Sequence, residues 1–323
     1  MLDQFLEVEK LRKYFPLKGK TKNGNPLAVK AVDGVDLSIL QGFIHGLVGE
    51  SGCGKSTLGR CILRLDEPTD GTVRFMGEDI LSFNRKRMRK IRRNMQIIFQ
   101  DPYSSLNPRK DVRRIIGEAF EIHNVLPKGK QLDRIEELLR LVGLHTDAIY
   151  RYPHEFSGGQ RQRICVARAL ALNPKLVVAD EPVSALDVSI QAQILNLLVE
   201  LQRKFDLTYL FISHDLSVVR HLCDQVSVMY LGKIVESADR ATLYENPAHP
   251  YTHALLSSAP HPNPSRKRTR FVIPGDVPSP ITPPPGCSFH PRCTHKKTLC
   301  VSKVPEPVAL EPGHQVACHY PLI

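Results

Sequence analysis

Polar and apolar positions along this chain switch between two periods. Over residues 6–48 they alternate and are broken by glycines, as in LAVKAVDGVDLSIL (27–40), which predicts short β-strands. An apolar run, Phe43–Val48, leads into a glycine-rich loop, and GTVRFMGEDI (71–80) reads as another hairpin. Leu132, Ile135, Leu138, Leu139 and Val142 share one face of a helix predicted over 131–144. Ile190, Ile194, Leu197, Leu198 and Leu201 do so over 189–204, and a further helix is predicted over 160–172. KLVVADEP (175–182) and LTYLFISHD (207–215) are short continuous apolar runs, as expected of strands covered on both faces of a parallel sheet. Strands alternating with helices predict an α/β fold.

Beyond about residue 246 prolines crowd in, culminating in SPITPPPG (279–286), which excludes one long helix or a central strand. This stretch reads as a separate, loop-rich tail. The chain has 323 residues, 42% hydrophobic and 24% charged, which excludes a wholly disordered polymer. No apolar run approaches the roughly 18 residues of a membrane-spanning helix. The start, MLDQFLEVEK, carries Asp3, Glu7 and Glu9 and lacks the basic-then-apolar form of a secretory signal, so a cytosolic location is expected unless a partner carries the chain to a membrane. The net charge of +11 suits anionic partners without choosing among them.

GESGCGKST (49–57) fits the pattern G-x-x-x-x-G-K-[ST]. Glycines let backbone amides turn inward around phosphate oxygens. Lys55 then reaches the β- and γ-phosphates and the Ser56 hydroxyl binds Mg²⁺. Gly49, Ser51, Gly52, Cys53, Gly54, Lys55, Ser56 and Thr57 are the expected nucleotide-binding residues, with Cys53 a tolerated small residue at a free position. The loop follows an apolar strand and precedes TLGRCILRL, a helix whose N-terminus favours anions. Asp180 ends an apolar strand 125 residues after Lys55, a position from which a carboxylate serves Mg²⁺. Glu181 follows directly, placed to polarise an attacking water.

FSGGQRQR (156–163) narrows the reading further. Here the sequence resembles the ATP-binding-cassette (ABC) ATPases. Ser157, Gly158, Gly159 and Gln160 resemble the family signature, Gln100 the Q-loop glutamine, SALD (184–187, ending at Asp187) the D-loop, and His214 the switch histidine. All stand in the family's order. The resemblance implies a P-loop fold with a RecA-like core, an antiparallel β-subdomain and a helical subdomain at about 101–156, within a nucleotide-binding domain spanning 1–245. It implies two cassettes meeting head to tail, each ATP held between one phosphate loop and the other cassette's signature. Glu181 becomes the catalytic base, His214 holds the γ-phosphate, and Ser56, Gln100 and Asp180 serve Mg²⁺. Phe15 is expected to stack on adenine, with Tyr14 as its rival.

DPYSSLNPR (101–109), ENPAHPYTHALLSSAP (245–260) and the cysteine-bearing tail resemble the dipeptide/oligopeptide importer ATPases, most closely the dipeptide-type F subunit. That resemblance implies a second ATPase subunit in a homo- or heterodimer, the latter favoured. It also implies two membrane permeases, an external peptide-binding protein, and a peripheral place on the cytoplasmic face of the inner membrane. The competing reading, a nucleic-acid-associated ABC-type ATPase, rests on the charge and on NRKRMRKIRRN (84–94), but no RNA- or DNA-reading motif accompanies them, and no nucleic-acid partner is expected.

The extension over 246–323 holds Cys287, Cys293, Cys300 and Cys318, spaced C-x5-C-x6-C-x17-C. That is neither a zinc ribbon nor a ferredoxin run. Four thiolates suit Zn²⁺ or an iron–sulfur centre, His290, His295, His314 and His319 are alternative ligands, and four unligated thiols are the remaining reading. Similar tails in the peptide-importer family imply a structural [4Fe-4S] cluster, the expectation taken forward.

Overall fold

The alternating N-terminal pattern folds as two long strands instead of several short ones. In the computed structural model, which describes residues 4–20, 26–258 and 273–322, β1 (Gln4–Lys20) and β2 (Pro26–Leu40) pair antiparallel. Irregularities in register, one between Val8 and Leu11, let the strands run on where the alternation breaks. At that bulge the Asp36 side chain accepts from the Lys10 amide at 2.7 Å, so the amide stays satisfied.

The chain divides into two units, 1–81 with 212–323, and 82–211. In the first, β2 is followed by β3 (Ile44–Val48), buried throughout, then by the phosphate loop and α1 (Lys55–Ile62). β4 (Asp70–Phe75) and β5 (Glu78–Asp79) form the expected hairpin and complete a sheet ordered β2-β1-β4-β5. Its buried face holds Leu6, Val8 and Leu11, with Phe5 edge-on to Phe75 at 5.0 Å.

The second unit starts with the basic run, which forms α2 (Arg85–Ile91), and β6 (Met95–Ile98) follows. Four helices come next: α3 (Pro102–Ser105), α4 (Val112–His123), α5 (Lys128–Leu141) and α6 (Gly158–Leu170). Ile135, Leu138, Leu139 and Val142 are buried as the periodicity predicts, whereas Leu132 lies at 36% exposure near the start of α5. β7 (Leu176–Asp180), buried throughout, pairs parallel to β6. α7 (Val188–Phe205) buries Ile194, Leu197, Leu198 and Leu201, and β8 (Thr208–Ser213), also buried throughout, lies beside β7.

Back in the first unit come α8 (Leu216–Leu222), β9 (Gln225–Tyr230), β10 (Lys233–Asp239) and α9 (Arg240–Glu245). β9 runs parallel to β3 and antiparallel to β10. α10 (Pro250–Ser258), α11 (Thr298–Ser302), β11 (Val308–Glu311) and β12 (His314–Val316) complete the chain. β12 extends the sheet by pairing with β10. The buried Glu236 carboxylate reinforces this join, accepting from the Ala248 amide at 2.7 Å, the His249 amide at 2.9 Å and His314 Nε2 at 2.8 Å. A charge removed from water needs such donors.

Candidate nucleotide site

The phosphate loop lies between the buried strand β3 and α1. Gly54 caps α1 at φ 109°, and a Cβ there would lie 2.0 Å from the Ala31 carbonyl oxygen. At Gly49 (φ +153°) a Cβ would lie 2.2 Å from the Met229 carbonyl oxygen, so both ends of the loop demand glycine. Lys55 is 4% exposed, and its ammonium donates to the carbonyls of Gly49 at 2.8 Å and Glu50 at 3.0 Å. A cation folded into a ring of backbone carbonyls at a helix N-terminus makes an anion cradle. Cys53 is buried beneath the loop, its carbonyl accepting from the Gly232 amide at 2.9 Å, and burial raises its thiol pKa. Ser51, Gly52, Ser56 and Thr57 occupy the rest of the same short segment.

In the same unit, Tyr14 is committed elsewhere. Its hydroxyl donates to Asp33, and burial first, then that hydrogen bond, pushes its pKa up to about 12. Phe15 is 37% exposed, with the Lys13 ammonium 4.8 Å from its ring centre. His214 follows the last residue of β8 and is exposed, while Asp215 caps α8 by accepting from the Ser217 amide at 2.8 Å.

In the second unit the structure brings together Gln100 and Glu181. The Gln100 Nε2 donates to Glu181 Oε2 at 2.7 Å. Asp180 and Glu181 are 7% and 9% exposed at the end of β7. Glu181 has φ 46°, a left-handed conformation uncommon outside glycine. Ser184 supports it, its amide at 3.2 Å and its hydroxyl at 3.1 Å both donating to the Glu181 carbonyl. That supporting role of Ser184 is absent from the sequence reading, though a serine three residues after a strand-end acid is a turn signal.

The signature starts α6 two residues earlier than predicted, because Ser157 and Gln160 form a reciprocal cap. The Gln160 amide donates to Ser157 Oγ at 3.4 Å, and the Ser157 amide to Gln160 Oε1 at 3.0 Å. Gly158 and Gly159 are the first helical residues, and Asp187 sits at the start of α7.

The ABC transporter family matches residues 32–184, and the oligopeptide/dipeptide transporter C-terminal region matches 235–300. The oligopeptide transport ATP-binding protein AppF of Bacillus subtilis (strain 168) is 55% identical over 320 residues, 98% of this chain and 97% of the relative. The chain belongs to the oligopeptide/dipeptide ABC transporter ATPase family. The putative oligopeptide transport ATP-binding protein YkfD of the same organism is 53% identical over 317 residues, 97% of this chain and 94% of the relative. The post-hydrolysis dimer of the ATP-binding cassette MJ0796 with ADP and Pi matches at TM-score 0.65 and 26% identity, over 73% of this chain and 98% of that one. The cassette cbiO1 from Clostridium perfringens matches at 0.63 and 28%, over 75% and 91%. The fold is that of a P-loop ABC ATPase, as the motif order implies, and the enzyme is an ABC-type ATPase.

The iron–sulfur expectation for this ATPase is overturned. Among the described residues no group of three or more His, Cys, Asp or Glu side chains is placed to hold a metal ion. All four tail cysteines are free, and they line a cavity of only about 10 Å³, room for one water at most and none for a cluster. Burial pushes the thiols of Cys287, Cys293 and Cys318 up, the last to about 11. What the tail does instead is pair and pack. The Cys287 amide donates to the Cys300 carbonyl at 2.8 Å, and Phe289 packs among Tyr230 and Tyr251, both at 5.3 Å.

Proposed function

We propose that this ATPase powers uptake of di- and oligopeptides across the cytoplasmic membrane by hydrolysing ATP on behalf of membrane permeases. The observation that carries the reading is the Gln100–Glu181 pair at the end of the buried β7, directly after Asp180. A buried carboxylate oriented by a neutral amide is suited to take a proton from water without losing its own position.

Lys55 binds the β- and γ-phosphates, moving from the carbonyls it holds in this structure. Gly49, Ser51, Gly52, Cys53, Gly54, Ser56 and Thr57 surround the phosphates with loop and helix-start amides, and Phe15 takes the adenine. Mg²⁺ prefers hard oxygen donors, and the Ser56 hydroxyl, the Asp180 carboxylate and the Gln100 amide oxygen are of that kind. With its nitrogen turned to Glu181, Gln100 has its oxygen left for the metal. When bound, Mg²⁺ offsets charge on the transferring phosphoryl group. Glu181 accepts the water's proton, and His214 orients the γ-phosphate. Ser157, Gly158, Gly159 and Gln160 act on the ATP of a second cassette, next to Asp187 of the D-loop.

Within this reading, residues 1–245 are the nucleotide-binding domain, 101–156 its helical subdomain, and 246–323 the peptide-importer extension. The partners are two permeases, a peptide-binding protein and a second ATPase subunit, in a heterodimer. Among the described residues no helix is long and apolar enough to cross a membrane. As the ATP-hydrolysing subunit of a peptide importer, the ATPase takes a peripheral place on the cytoplasmic face, docked to the permeases. The nucleic-acid alternative has the net positive charge and the basic segment around α2 in its favour, while the match to peptide-transport relatives spans nearly the whole chain. Purification from detergent-solubilised membranes tests the choice: the reading expects permeases and a second ATPase to co-purify. ATPase stimulation by DNA or RNA, with no permease recovered, contradicts it.

A further inference from the structure

Glu50, the second residue of the phosphate loop, is held from three sides. Its carboxylate accepts both arms of the Arg292 guanidinium, Nη1 to Oε2 at 2.7 Å and Nη2 to Oε1 at 3.1 Å. Its amide donates to the Tyr251 hydroxyl at 3.0 Å, and its carbonyl accepts from Lys55 at 3.0 Å. Two of these three groups come from the C-terminal part of the chain, 201 and 242 residues away in sequence.

Both are well anchored. The Arg292 side chain is 7% exposed, and its Nε donates to the Pro274 carbonyl at 3.3 Å. Tyr251 is fully buried, 4.7 Å from Tyr230 and 5.3 Å from Phe289 between ring centres. A parallel fork of two charge-assisted bonds fixes a carboxylate's orientation as well as its charge. The guanidinium pKa is raised further, chiefly by the bond to Glu50, so Arg292 keeps its positive charge.

Two consequences follow for a loop that receives phosphates. A carboxylate in a phosphate-binding loop repels its own ligand unless a cation offsets it. Lys55 also releases the Gly49 and Glu50 carbonyls when it turns to phosphate, which removes one of Glu50's three restraints. Arg292 and Tyr251 remain.

We infer that Arg292 is a positioning residue for nucleotide: by pairing with Glu50, and with Tyr251 holding the same residue's amide, it keeps the phosphate loop neutralised and shaped for ATP. The C-terminal segment thereby sets nucleotide affinity. This rests on the reading that the loop binds ATP.

The test uses the full chain and a fluorescent ATP analogue with Mg²⁺, alongside an unfolding midpoint for each variant. Arg292→Ala is expected to raise Kd about tenfold, the effect of one unit of uncompensated interaction at 1.36 kcal/mol per decade. Adding Glu50→Gln removes the orphaned charge and is expected to bring Kd back to within about threefold of wild type, a rescue that a merely structural role for Arg292 does not produce. If Arg292→Ala does not fold, Arg292→Gln keeps the stem and an amide donor, and the same weakening and the same rescue are expected. Wild-type affinity in the folded Arg292 variant, or a double variant as weak as the single one, overturns the inference alone. A wild-type chain that binds no nucleotide overturns the reading beneath it as well.

Discussion

The side-chain amide of Gln100 and the carboxylate of Glu181 meet at 2.7 Å, although 81 residues separate them in the chain. The bond orients the carboxylate that we propose accepts the water's proton. Hydrogen bonds to charged groups are worth about 1.5–3 kcal/mol. Gln100→Ala is therefore expected to lower kcat roughly 10- to 100-fold while changing ATP affinity much less. Steady-state phosphate release and a separate nucleotide titration give the two numbers. A selective loss of binding would place Gln100 in recognition instead.

Lys55→Ala acts on the other quantity. The ammonium is folded into the loop's carbonyls, at 2.8 and 3.0 Å. Its removal is expected to weaken Mg-ATP binding by at least about tenfold, consistent with losing a charge-assisted phosphate contact. Equilibrium binding with the fluorescent analogue checks it, and unchanged affinity would count against the assignment.

Ser157 tests whether two cassettes share each ATP. Its hydroxyl and Gln160 cap α6, which leaves the amides of Gly158 and Gly159 at a helix start. In the purified chain alone, where two copies stand in for the heterodimer, Ser157→Arg is expected to abolish activity, as is Lys55→Ala. A mixture of the two gives dimers with at most one intact composite site. Full activity from either variant alone would refute the shared site.

The site was legible in the sequence where it is local. The phosphate loop, the strand-end Asp180–Glu181 pair and the capped signature each occupy one short segment whose residue types report their own backbone needs, such as the positive φ at Gly54. Long-range partners carried no such mark. Nothing adjacent to Arg292 or Tyr251 in sequence points to Glu50, and the fork exists only because the chain returns to the first unit after residue 211. The cysteines show the converse limit. Four thiols in 37 residues specify a ligand type, but ligation needs them spaced around a cavity, and the tail packs them around one too small. The long strands β1 and β2 escaped the reading for a third reason: a bulge repaired by Asp36 looks, in sequence, like a strand end.

Two buried histidines give the fold an acid limit. Burial lowers the pKa of His45 to about 4 and of His249 to about 3. His45 Nε2 lies 2.9 Å from Ser227 Oγ, and His249 Nδ1 accepts from the Tyr251 amide at 3.0 Å, so His249 folds as the neutral form. An unfolded histidine takes a proton near pH 6.5, whereas the folded ones do not until far lower. The unfolded state thus binds more protons below pH 6.5, and stability is full above that value and falls as pH drops toward 4. The expected slope is on the order of 1 kcal/mol per pH unit for each histidine. Unfolding midpoints between pH 7 and 5 measure it, and His249→Asn, which keeps an acceptor for the Tyr251 amide, is expected to flatten the slope. An equal slope in the variant would contradict the assignment.

The central claim is that Glu181 is the base through which this ATPase couples ATP to peptide import. The direct measurement is phosphate release by the assembled ATPase–permease complex, with and without peptide-loaded binding protein, for wild type and Glu181→Gln. The variant keeps the shape of the side chain and removes its charge. Wild type is expected to be stimulated by the loaded binding protein. Glu181→Gln is expected to bind ATP and yet release phosphate at least about 100-fold more slowly, within the range of general-base catalysis, with no response to peptide. Wild-type turnover by Glu181→Gln, or a wild-type complex indifferent to peptide, would contradict the account.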